Sequence, residues 1–305
     1  MLSRVADSVF WMARYLERTD NLLRLLRTEY IASQDELLEF NWQKLTDTLS
    51  TKTQTPVIVA SYREALYHLI LNKEHDASVF VNIVRVRENA RSVQDYITKE
   101  LWQCLNDYYH IIRDPQTEYL LLHQDPVTVF DTLLKESLIF YGTVEVTMNR
   151  GDGYTFLNLG KYIERSLQSL EALELKWKIN TEVAEPVSWK YLLYALSGFE
   201  FHTKTYKNAL QTEDVLHQVL FNNQFPHSVT YSLSQIERYF QRLSQSSLPE
   251  NFSELEFLAG KMITDIQYST VNLKDPVAVK QLIATTRVQV LHFSQRLNTF
   301  YFGYS

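Results

Sequence analysis

The sequence predicts an all-α fold, a tandem-duplicated helical bundle with pseudo-twofold symmetry, and three observations carry that prediction. Its 305 residues include only seven Gly and seven Pro, too few to turn the many short strands of a β-rich domain. Long stretches place apolar residues three and four positions apart, the period of one helix face. Corresponding stretches recur in the same order at separations of 147 to 150 residues, which marks an internal repeat.

The first predicted helix, residues 3–30, organises the rest. Val5, Val9, Met12, Leu16, Leu23, Leu26 and Tyr30, with Thr19 between, draw one seam along it. Phe10, Trp11, Tyr15, Leu22 and Leu25 lie off that seam, so the helix is apolar on several sides and belongs inside a bundle. Arg14, Glu17 and Arg18 are then partly buried, and buried charge is costly unless paired. Arg14 can reach Glu17 at i, i+3, whereas Arg14 and Arg18 repel at i, i+4. Arg18 should therefore find its carboxylate on another helix or on a ligand. A second copy supplies one: 147 residues on, Lys161, Glu164 and Arg165 replace Arg14, Glu17 and Arg18. There the seam recurs as Phe156, Leu159, Ile163, Ser166, Leu170, Leu173 and Trp177. A twofold operation would bring Glu17 towards Arg165 and Glu164 towards Arg18 near its axis.

The remaining elements repeat as well. Residues 41–49 read as a short helix, followed by a polar break at 50–55 that Pro56 closes, and 188–196 correspond to them. Trp42 matches Trp189, Leu45 matches Leu192, and Leu49 matches Leu196. Residues 65–79 align without gaps on 215–229. Asp125-Pro126 and Asp275-Pro276 each place Asp at an N-cap and Pro at the first helical position. Long helices are expected over 3–30, 78–112, 126–150, 154–178, 189–210, 227–246, 253–272 and 276–302. The repeats, 1–150 and 151–305, meet near Gly151-Asp152-Gly153, hold about four to six helices each, and form one fused body with no Gly/Ser-rich linker.

Composition excludes several functions. A net charge of −6 gives no long-range attraction to nucleic acid or anionic lipid. No apolar run reaches the roughly 18 residues of a membrane helix, and the first residues lack signal-peptide order, so a cytoplasmic location is expected. Cys104 is the single cysteine, so no intrachain disulfide forms. It sits in LWQCLN among apolar neighbours and reads as core. The eight histidines are scattered, with no HExxH or facing ExxH pair, so no metal is expected. No phosphate-binding loop is present, and no cofactor is expected.

MLSRVADSVFWMARYLERTDN, RENAR (87–91), ELWQCLN, GDGYTFLNLGKYIERS and FPHSV together resemble the bacterial Alpha-E family, also filed as DUF403, over essentially the whole chain. That family is an α-helical domain with a Glu-Arg motif, usually duplicated, and both copies stand here. The resemblance implies a part in peptide synthesis or modification beside circularly permuted ATP-grasp ligases, transglutaminase-like proteins and an NTN-hydrolase-type peptidase. Two positions depart from the pattern: Leu167 stands where the first copy has Asp20, and Lys161 stands where it has Arg14.

Arginine presents a planar fork to carboxylate or phosphate, and a carboxylate can hold an ammonium group. Arg14, Glu17, Arg18, Lys161, Glu164 and Arg165 could thus read the two ends of an amino acid or peptide; equally, they could form an interhelical salt-bridge network. Arg87 and Arg91 share a helix face and are candidates for the same polar cleft. The preferred expectation is an accessory, substrate-presenting component that docks on an ATP-grasp ligase, without a recognisable catalytic motif of its own. The alternatives are an enzyme using Glu17 and Glu164 as acid or base on a peptide or acyl-phosphate, and a purely structural helical protein.

Overall fold

The computed structural model describes residues 1–34, 41–50, 57–179, 185–207, 210–244 and 252–303, among which lie fourteen α-helices and no strand. The first half holds α1 (Ser3–Ser33), α2 (Trp42–Leu49), α3 (Tyr62–Leu66), α4 (Val79–Ser92), α5 (Lys99–Arg113), α6 (Pro115–His123) and α7 (Val127–Thr147). The second holds α8 (Asp152–Ile179), α9 (Glu185–Ala195), α10 (Phe199–Tyr206), α11 (Thr212–Leu220), α12 (Val229–Ser244), α13 (Phe252–Gln267) and α14 (Pro276–Leu297). Among the described residues each half therefore carries seven helices, more than the four to six that periodicity suggests. Residues 51–56, 208–209 and 245–246, on which parts of the expected pattern fall, lie outside the described residues.

α1 and α8 pack against each other at the centre, with α4, α7 and α9 also on α1 and α12 and α14 on α8. The seam is the reason. Val9, Met12, Leu16, Leu23 and Leu26 of α1, and Leu159, Ile163, Leu170 and Leu173 of α8, are wholly buried, each such side chain contributing roughly 1.5–3 kcal/mol. Phe10, off the seam, is also wholly buried, as a helix apolar on several sides requires. One glycine sets the approach of the two backbones. A Cβ at Gly160 of α8 would stand 2.3 Å from the Phe10 carbonyl oxygen of α1, so no larger residue fits at that separation.

The cap of α14 follows the sequence: Asp275 accepts from Val277 and Ala278 with Pro276 at the first helical position. At α7 the pattern is shifted, because the helix begins at Val127 with Pro126 in the N-cap place, and Asp125 accepts from the Val127 amide one residue further out. Two predicted helices are broken. The helix expected over 78–112 is α4 and α5, because Thr98 accepts from the Leu101 amide and starts a new helix, a local bond that competes with continuation. The helix expected over 189–210 stops at Ala195. Ser197 adopts a left-handed φ of 53°, and Gly198 lets the chain pass against Phe225, whose ring would lie 2.7 Å from an added Cβ.

Candidate functional site

Where α1 meets α8, the charges cross between the halves. Arg165 of α8 donates from Nε to Glu17 Oε1 at 2.5 Å and from Nη2 to Oε2 at 3.1 Å. In return, Arg18 of α1 donates from Nε to Glu164 Oε1 at 2.5 Å and from Nη2 to Oε2 at 3.2 Å. Both are fork-on-carboxylate pairs. The crossing expected from the shared seam is made. Arg14 does not reach Glu17 as its spacing suggested. It donates to Glu164 Oε2 at 2.8 Å and to Ser294 Oγ at 3.0 Å, so Arg14 and Arg18 clamp one carboxylate, which offsets their repulsion. Lys161 stands where a second clamp would be, but its Nζ lies over the Tyr141 ring, 4.4 Å from the centroid. The Tyr141 hydroxyl, from α7, donates to Glu17 Oε2 instead.

Glu17 and Glu164 are sealed, at 1% and 2% exposure. Burial alone would raise the Glu164 carboxyl, yet Arg18 and Arg14 hold it down to about 2. Burial likewise opposes ionisation of Glu17, and Arg165, with Lys161 and the Tyr141 hydroxyl, overcomes it and keeps the carboxyl below the usual range. Lys161 is lowered to about 8 by burial and by Arg165, against the pull of Glu17. Burial with Arg24, Arg165 and Lys161 nearby holds His227 well below its ordinary value, so its imidazole is neutral. Asp20 is raised by burial, although Arg24 opposes this. Glu17, Asp20, Lys161 and His227 act on one another's charge, the pattern of a polar site, and also of a structural ion network.

Of the two crossed guanidiniums, solvent reaches that of Arg18, whereas that of Arg165 is buried beneath a second cleft. A cleft of about 310 Å³ opens at Arg18, lined also by Asp76, Arg85, Gln168 and Glu171. Arg18 is 34% exposed there. A second cleft, of about 330 Å³, opens at Arg165 and includes Asp20, Arg24, Arg27, Asp131, Tyr141, Tyr194 and His227. In it Arg24 pairs with Asp20 at 2.6 Å and donates from Nη1 to His227 Nε2 at 2.9 Å. Each cleft sets cations beside carboxylates, an arrangement suited to a small zwitterion.

Arg87 and Arg91 take no part in this cluster. Arg87 donates to Asn106 Oδ1 at 3.0 Å and rests over the rings of Trp102 and Tyr109, which draw it to α5. Arg91 is 64% exposed and touches Glu88 at 3.6 Å. Sequence reasoning missed Tyr141, Arg24 and His227. Only Asp20 and Arg24, at i, i+4, carried a local signal. Among the described residues no group of three or more His, Cys, Asp or Glu side chains converges as a metal site would, and Cys104 is buried with its thiol raised to about 12.

A family model described as a predicted alpha-helical domain with a conserved ER motif matches residues 1–302. Glu17-Arg18, Glu164-Arg165 and Glu237-Arg238 are the Glu-Arg dipeptides within that span, and the first two are the crossed pairs. The chain is similar to uncharacterised proteins of Mycobacterium bovis and Mycobacterium tuberculosis, each 23% identical over 279 residues. The match covers 81% of this chain and 31% of each relative, so the chain spans under a third of their length. No solved structure matches.

Proposed function

The chain belongs to the Alpha-E family, and from that premise we propose that it is an accessory component of an ATP-grasp-dependent peptide synthesis or modification system, holding an amino acid or peptide end for a partner ligase. The clefts at Arg18 and Arg165 support this reading most directly. Each offers guanidinium to a carboxylate and carboxylate to an ammonium group: Arg18 and Arg85 with Glu171 in one, Arg165 and Arg24 with Asp20 in the other.

The reading in which Glu17 and Glu164 act as acid or base has less support. A general base must come within hydrogen-bond reach of the substrate proton. Both carboxylates are sealed from solvent and saturated by Arg165 and Tyr141 or by Arg14 and Arg18. They serve the site by fixing where the arginine edges stand.

Copurification with an ATP-grasp ligase encoded beside it, followed by product analysis with and without this chain, tests the proposal. A stable complex and a change in product length or yield are expected. No association at micromolar concentration would overturn it.

A further inference from the structure

A cleft of about 570 Å³ lies at the start of α8, away from the crossed pairs. Three arginines line it, Arg150, Arg238 and Arg242, with Asp152 as the one lining carboxylate. Asp152 is already occupied by the Met1 amine at 3.1 Å. In a chain of net charge −6 this is a concentrated cationic surface.

Among the described residues, two of the arginines lack a counter-ion. Arg238 and Arg242 lie at i, i+4 on α12, where like charges repel, and neither forms an ion pair among the described residues. Arg238 donates only weakly to Gln235, at 3.4 Å. Both guanidiniums rest near the Tyr239 ring, 5.8 and 5.1 Å from its centroid. Arg150 is parked over Tyr154 at 4.2 Å while touching Glu145 at 3.1 Å. The fold does not need these charges. At the positions 150 residues earlier, the first half carries Glu88 and Ser92 on α4.

We propose that this cleft binds the phosphate chain of an oligophosphate, with Arg150, Arg238 and Arg242 as its ligands. Guanidinium forks match phosphoryl oxygens in pairs, and three forks suit an anion with several negative oxygens better than a single carboxylate. Tyr154 and Tyr239 are buried beneath the arginines, at 5% and 6% exposure, so no aromatic face is free for a base. Recognition stops at the phosphates. The inference is independent of any ligase partner.

Calorimetry on the full chain at low salt, with sodium triphosphate in one arm and ATP in the other, tests it. Saturable binding of comparable strength is expected in both arms. The double variant Arg238→Ala/Arg242→Ala should weaken both about tenfold or more, a change of about 1.4 kcal/mol or greater, with an unchanged thermal melt, since both residues sit at the surface of α12. Absence of saturable binding at millimolar triphosphate overturns the proposal, as does binding that the double variant leaves intact. ATP binding that survives while triphosphate binding is lost also overturns it, because the nucleoside would then be the determinant.

Discussion

Glu17 and Arg165 stand 148 residues apart in sequence and are joined by two hydrogen bonds, at 2.5 and 3.1 Å, in the buried centre of the molecule. Replacing Arg165 with Leu would leave Glu17 buried with Tyr141 as its remaining direct donor, and such an orphaned charge costs about 3–5 kcal/mol. Arg18→Leu should cost less, about 1–2 kcal/mol, because Arg14 keeps its bond to Glu164 and Arg18 is 34% exposed. Urea melts of the two variants measure the difference. Equal losses would mean that Arg18 is as dry as Arg165.

Acid should weaken the fold through Glu164. Its carboxyl is lowered from 4.5 to about 2 in the folded state, so its stabilisation is fully present above about pH 4.5 and drains as the pH falls towards 2. The expected loss is about 3 kcal/mol. Unfolding midpoints between pH 5 and pH 2.5 should fall steeply for the native chain and less steeply for Glu164→Gln; parallel slopes would refute the assignment.

Glu29 acts in the opposite sense. Burial raises its carboxyl from 4.5 to about 7, so the native fold loses stability as the pH rises through that window and the group is forced to ionise. Glu29→Gln removes the titration. The variant should match the native chain near pH 4 and exceed it by about 1–3 kcal/mol at pH 8, readable as a higher melting temperature at pH 8 alone.

Glycines separate a close approach from open space. Gly160→Ala would drive a methyl group into the Phe10 carbonyl, and overpacking against backbone costs about 1–3 kcal/mol or more. Gly142→Ala in α7 and Gly260→Ala in α13 meet nothing within 4 Å and should stabilise by about 0.5–1 kcal/mol. Thermal melts that rank the three alike would contradict the α1–α8 separation.

The crossed pairs were legible in the sequence because both partners sit on helices with the same seam, and a charge that cannot be paired on its own helix must look to the other copy. Tyr141 and His227 were not legible: each reaches the cluster from a different element, and nothing in TVFDTLLKESLIFYG or FPHSV fixes where the chain will bring them. Arg87 misled because its face looked free, whereas Trp102 and Tyr109 on α5 claim it. Between α4 and α5 the chain leaves the helix at Val93, turns over Gln94–Tyr96 and restarts at the Thr98 cap, none of which the apolar period marks. The start of α6 was available in Asp114-Pro115, the same pair of signals that marks α14.

Because each half supplies the guanidinium that the other half's glutamate requires, the peptide link through Gly151 works as an effective concentration. It keeps the two counter-ions permanently within reach, so the lock closes as an intramolecular event at any dilution. Severing the chain there would turn the same contacts into a bimolecular equilibrium, and the stability of each half would then depend on how much of the other is present.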